Sequence, residues 1–156
     1  MMTILDEGAK APEFALPASN GQTVSLKDYV GKKVVVFFYP RDDTPGCTRE
    51  VCSFRDSYND IQEQGAIVLG VSGDSIKSHG RFVSKYDLPF LLLSDDNKQM
   101  AMEYGAWGEK KNYGRTYMGM RRITYLIDER GKITKVWPKV RPDEHGEEVL
   151  AAIKGE

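Results

Sequence analysis

The run Lys33-Val34-Val35-Val36-Phe37-Phe38-Tyr39 is β-branched and aromatic, with no polar alternation. A strand wetted on one face would alternate, so this one is expected at the centre of a sheet covered on both faces. The chain then breaks. Pro40 to Gly46 holds two prolines and a glycine, which forbid a regular ladder and read as a loop. From Cys47 the apolar residues Val51, Phe54, Tyr58 and Ile61 recur at three- and four-residue spacing, and Gly65 closes a helix.

The remaining elements build on that unit. Phe14-Ala15-Leu16 and Thr23-Val24-Ser25 flank Asn20-Gly21, an N-terminal hairpin signal. Ala66 to Ser72 reads as a second buried strand, and Asp74 or Ser75 caps a helix to about Tyr86. Pro89 to Leu93 reads as a third strand, and a short helix is expected from about Asn97 to Tyr104, ended by Gly105. Ala106 to Met120, rich in Gly, Lys and Tyr, is expected to be a long loop. Arg122 to Asp128 and Ile133 to Trp137 bracket a Gly131 turn, and a last helix is expected over Glu144 to Lys154. The fold class is α/β: one domain over residues 1–156, with a central mixed sheet, helices on both faces and an N-terminal hairpin.

Composition excludes several roles. A formal charge of −1 over 156 residues, with no polybasic run, gives no case for nucleic acid. The longest apolar runs are too short to span a bilayer, so no membrane partner is expected. Met1 to Glu7 has neither a basic nor an apolar leader region, and a cytoplasmic setting is the expectation. There, two nearby cysteines point to redox chemistry more than to a staple.

Both cysteines lie in one stretch, Cys47 just after a Thr-Pro-Gly turn and Cys52 five residues on. Only a thiolate attacks peroxides or disulfides. A helix start favours it, because the unpaired N–H groups and the dipole attract negative charge. Gly46 leaves the backbone open to close approach, and the Thr44 hydroxyl, three residues before the cysteine, can turn into the same pocket. Residues five apart on an ideal helix have Cα atoms ~9 Å apart, whereas a disulfide needs roughly 4.4–6.8 Å. Either Cys47 and Cys52 never pair, or about the first turn and a half of the helix unwinds.

The spacing of Pro40, Thr44 and Cys47 matches Pro-x-x-x-Thr-x-x-Cys, and the stretch Phe37 to Thr48 resembles the peroxiredoxin active site. Cys52 followed by Ser53-Phe54-Arg55-Asp56 is similar to the bacterioferritin comigratory protein and PrxQ branch. The likeness extends to Gly8 to Phe14, Tyr104 to Lys110 and Arg122 to Asp128, nearly the whole chain. It implies a thioredoxin-like fold and a thiol peroxidase acting on hydroperoxides. By the resemblance Cys47 is the peroxidatic and Cys52 the resolving cysteine, Pro40 shields the site, and Thr44 binds the peroxide. Thioredoxin or a similar dithiol reductant regenerates the thiols, no metal, flavin or haem is required, and the chain is a monomer. The family's arginine falls on Arg122. Strand alternation sends Arg121 and Arg122 to opposite faces, so one alone can serve the site. Glu50 is placed either to orient that arginine or in solvent.

Three other readings compete. A dithiol exchange protein would carry Cys-x-x-Cys, which is absent. A Cys₂His₂ metal site would need His79 and His145, neither with a patterned partner, and both are expected at the surface. A binding module could use Trp107, Tyr113 and Tyr117, although a lid over the site is the simpler use of that segment.

Overall fold

The structure, a computed structural model, describes residues 3–155; Met1 and Met2 of the N-terminal segment, and Glu156, lie outside them. The chain order begins with a small hairpin, β1 (Ala15–Pro17) and β2 (Thr23–Ser25), then β3 (Lys33–Phe38) and α1 (Pro45–Glu63). Next come β4 (Ala66–Ser72), α2 (Ile76–Tyr86), β5 (Leu91–Ser94) and α3 (Gln99–Glu103). A hairpin of β6 (Trp107–Asn112) and β7 (Arg115–Met120) precedes β8 (Ile123–Ile127), β9 (Ile133–Trp137) and α4 (His145–Ile153).

The main sheet has the order β5-β4-β3-β8-β9. Strands β3, β4 and β5 run parallel, and β8 and β9 add antiparallel. Strand β3 is the middle strand, and its side chains divide between two cores. Val34, Val36 and Phe38 join the N-terminal hairpin and α3 on one face. Val35, Phe37 and Tyr39 join Val51, Phe54, Tyr58 and Ile61 of α1, Phe82 of α2 and Val149 and Ile153 of α4 on the other. The absence of polar alternation in the sequence thus has its cause in burial on both faces. Phe37 stacks on Phe54 with ring centroids 4.6 Å apart, tying α1 to the sheet centre. Gly70 of β4 makes room for that ring, since a Cβ there would lie 2.7 Å from Phe37 Cζ.

Two expectations are corrected. Residues 107–120 are a two-stranded hairpin and not a loop, closed by Tyr113 at φ +52° and Gly114 at φ +76°. Two consecutive positive φ values make a turn whose twist suits a tight hairpin. Most of both strands is exposed, so no buried face imposed the alternation by which a strand is read. His79 and His145 are not surface residues; both are fully buried. Their polar neighbours compensate the burial: His79 lies against Asp42 and the Leu93 carbonyl, and His145 against Thr124 and Glu148. Smaller differences are a third strand displaced to Leu91–Ser94 and a third helix shortened to Gln99–Glu103. Ser75, not Asp74, caps α2, its hydroxyl accepting from the Ser78 N–H at 3.1 Å. No described helix is long and apolar enough to cross a membrane.

Candidate active site

The site forms where β3 ends, α1 begins and β8 starts. Pro45 is the first residue of α1, where a missing N–H costs nothing. The first helical bond runs from the Thr48 N–H to the Thr44 carbonyl at 2.8 Å. The N–H groups of Gly46 and Cys47 therefore precede the ladder and have no helical partner. Cys47 is the third residue of the helix and is buried, 1% exposed.

Arg122 lies just before β8 and reaches across to α1. Its Nη2 donates to Cys47 Sγ at 3.4 Å and its Nη1 to Glu50 Oε1 at 2.7 Å. Glu50 is fully buried and sits three residues after Cys47, so the two share a helix face. Of the two arginines, Arg122 is the one aimed at the thiol. The Arg121 N–H bonds the Ala106 carbonyl, and its guanidinium reaches the Glu109 carbonyl. Gly46 leaves room for this approach, since a Cβ there would stand 3.1 Å from Arg122 Nη2, tighter than ordinary contact.

The Thr44 hydroxyl donates to the Arg41 carbonyl at 2.9 Å and is turned back onto its own loop. Pro40 is half-buried and borders a groove of about 480 Å³ with Trp107, Lys110, Tyr117 and Met120. The β6–β7 hairpin thus forms a wall beside the mouth of the site. Tyr113 at its tip is almost fully exposed.

Cys52 is not brought to Cys47. Both thiols are free, and both lie in the unbroken helix α1, whose ideal geometry keeps their Cα atoms ~9 Å apart. Cys52 is half-buried, and burial pushes its thiol above the ordinary value, with Arg55 opposing and Asp56 assisting. While the helix is formed, Cys52 is poorly disposed to attack.

Glu50 carries an electrostatic conflict. Burial pushes its carboxyl up from 4.5 to about 7, against the opposing pull of Arg122. Burial by itself would lower Arg122, but the charges of Glu50 and Cys47 outweigh it and raise it. Desolvation prevails at Glu50 because its Oε2 is buried with no hydrogen-bond partner among the described residues. A folded-state value above the unfolded one contributes stability below pH 4.5 that is lost as the pH rises through about 7. Relative to Glu50→Gln, the wild-type protein is therefore expected to lose roughly 3 kcal/mol across that window, at about 1.4 kcal/mol per pKa unit. Parallel urea denaturation of both proteins between pH 4.5 and 7.5 measures it; equal slopes would contradict the assignment.

The sequence pointed to Cys47, Cys52, Thr44, Pro40, Arg122 and, as one of two options, Glu50. It missed a buried polar network under the loop. The Asp42 carboxylate accepts from Tyr39 Oη at 2.6 Å and Ser78 Oγ at 2.7 Å, and lies 2.8 Å from His79 Nδ1. Burial and the adjacent Asp42 raise the Tyr39 phenol well above its ordinary value, so it stays a donor. No local pattern could have found this network, because Asp42 and His79 are separated by 37 positions and carry no shared motif.

The described family model for AhpC/TSA matches residues 8–136. Peroxiredoxin Bcp of Bacillus subtilis is 48% identical over 153 residues, covering 98% of this chain and 97% of that one. The solved Xanthomonas campestris bacterioferritin comigratory protein, studied for its alkyl peroxide reduction activity, is 34% identical at a TM-score of 0.88. That superposition covers 99% of this chain and 98% of the other. A cysteine-to-serine variant of Xylella fastidiosa PrxQ is 32% identical at a TM-score of 0.92, covering 98% of each chain.

Proposed function

The chain belongs to the AhpC/TSA family and to its Bcp/PrxQ peroxiredoxins, and on that premise we propose that it is a thiol peroxidase in which Cys47 attacks the peroxide and Cys52 resolves the product. The observation that carries the reading is Arg122 Nη2 at 3.4 Å from the buried Cys47 Sγ, with the same guanidinium held by Glu50 at 2.7 Å. A fixed cation beside a thiol at a helix start stabilises the thiolate and the charge that moves along the O–O bond.

The Cys47 thiolate attacks one oxygen of a hydroperoxide. An S–O bond forms, the O–O bond breaks, and the departing oxygen takes a proton to leave as water or an alcohol. Arg122 and the Gly46 and Cys47 N–H groups stabilise the developing negative charge. Thr44, whose hydroxyl can rotate from the Arg41 carbonyl, and Pro40 border the place where the peroxide docks. The sulfenic acid on Cys47 then condenses with the Cys52 thiol, forming S–S and releasing water. Geometry requires α1 to open first at its N-terminal end, which also exposes Cys52 and restores its reactivity. A dithiol reductant of the thioredoxin kind returns both thiols by exchange. The chemistry needs thiols and peroxide alone. We place the enzyme in the cytoplasm, acting as a monomer in peroxide defence.

The test is mass spectrometry of reduced protein after one equivalent of hydrogen peroxide. A Cys47–Cys52 disulfide is expected, lighter than the dithiol by one molecule of hydrogen. In Cys52→Ser, a dimedone-reactive sulfenate on Cys47 should accumulate and turnover with thioredoxin should stall. Normal cycling of that variant would remove Cys52 from the mechanism.

A further inference from the structure

The loop between β3 and α1 carries Pro40 and Thr44, yet solvent-exposed loops are the mobile parts of a fold. Here Asp42 is buried, at 9% exposure. Its carboxylate takes hydrogen bonds from Tyr39 and Ser78 and faces His79 Nδ1, and its N–H donates to Asp74 Oδ2 at 2.8 Å. His79 is fixed in turn, with Nε2 2.9 Å from the Leu93 carbonyl. A carbonyl can only accept, so Nε2 carries a hydrogen and the ring is oriented from both sides. Asp42, Asp74 and His79 lie close enough to suggest a cation site, but their polar atoms are engaged with one another and with Tyr39, Ser72 and Ser78. The arrangement is a fastening between loop, α2 and the sheet.

A second fastening follows Cys52 directly. The Gly146 N–H of α4 donates to Ser53 Oγ at 2.8 Å, and a Cβ on Gly146 would lie 2.2 Å from the Ser53 carbonyl oxygen. Phe54 is fully buried, and Arg55 Nη1 donates to the Tyr86 carbonyl at 2.9 Å. Between the two fastenings the polar ties are weaker, and the apolar anchor is Val51, fully buried in the core under α1. Asp43 pairs with Lys85 and Arg49 with Asp143, both in solvent, where such pairs contribute little. The internal polar tie is Arg122 to Glu50 and Cys47, which the reaction itself disturbs by oxidising the sulfur.

We propose that Asp42 and His79 are positioning residues that hold the upstream end of the switch, with Ser53 and Gly146 holding its downstream end, so that the segment released for disulfide formation is residues 43–52. The inference rests on the Cys47–Cys52 reading above. A fixed upstream end keeps Pro40 in place while the helix start moves, and lets the reduced enzyme re-form the pocket without rebuilding the loop.

Hydrogen–deuterium exchange of reduced protein and of protein given one equivalent of peroxide tests it. Amides of 43–52 should gain exchange, while those of 39–42 and 54–60 keep their protection. In Asp42→Asn and His79→Gln, the released region should spread into 39–42. By rapid quench, the peroxide step should slow about 10-fold, the scale of a modest misplacement of reacting groups. Sulfenate-to-disulfide conversion should quicken, because Cys47 leaves its pocket more readily. A purely structural role would not move the two steps in opposite directions. Deprotection of 39–42 in the wild-type disulfide would overturn the proposal, as would folded variants with both steps unchanged. If the variants do not fold, the wild-type boundary decides. Absence of the Cys47–Cys52 disulfide by mass spectrometry would sink the reading and the inference together; a disulfide with different boundaries would sink the inference alone.

Discussion

Cys47→Ser is expected to reduce peroxide consumption to the uncatalysed background, a loss of at least about 10⁴-fold, the scale on which deleting an enzyme's nucleophile acts. The substitution exchanges one small atom for another at a position with 1% exposure, so the fold and the Arg122–Glu50 pair should survive. The hydroxyl of serine has no base beside it and stays protonated near neutral pH, whereas the thiol sits against a guanidinium at a helix start. Stopped-flow loss of hydrogen peroxide and of an alkyl hydroperoxide, with the protein in excess, measures the effect. Circular dichroism confirms that the variant is folded. Consumption retained at a tenth of the wild-type rate would place the chemistry elsewhere in the chain.

Arg122→Ala is expected to slow the peroxide step by about 10²–10³-fold, the cost of removing one preorganised donor from a developing negative charge. Arg121→Ala should leave it within about twofold, because among the described residues the Arg121 guanidinium meets only the Glu109 carbonyl. The two variants together decide which arginine serves the site, and the reverse outcome would overturn the assignment. Removing Arg122 also strands Glu50, a buried carboxylate with one oxygen already unpartnered. Glu50, already raised to about 7, can escape part of the penalty by taking up a proton, so Arg122→Ala should be destabilised by less than the about 3–5 kcal/mol of a broken buried ion pair, as well as slow. The double variant Arg122→Ala/Glu50→Gln separates the two effects. It should recover most of the stability and none of the rate. Arg122→Lys should fall between, since an ammonium is a point charge and cannot bridge Cys47 and Glu50 with a planar fork.

These expectations draw on different levels of the molecule. The β3 strand, the loop that follows it and the start of α1 were legible in the sequence, because each depends on residues close along the chain. A run without polar alternation, two prolines and a glycine, and a three- to four-residue apolar repeat each have a local physical cause. The limits of such reasoning show at β6 and β7. A strand is recognised by the face it buries, and a hairpin standing off the main sheet buries almost none. The histidines failed for a related reason: a lone histidine carries no sign of the carboxylate, hydroxyl or carbonyl that will satisfy it once it is buried.

The chain by itself determined the setting of Cys47, the helix start that favours a thiolate and a cysteine spacing that an intact helix cannot bridge. Those are properties of a continuous segment, set by backbone geometry within a few residues. Tertiary structure brings Arg122, the arginine that the resemblance indicated, to Cys47, and it alone decided that Glu50 is buried behind it and that Asp42 is fastened to His79. Each of those pairs joins residues 37 to 75 positions apart. The sheet order that sets β8 beside β3, and the packing of α2 against the end of β3, bring them within hydrogen-bonding distance, and no local preference of the chain encodes that proximity.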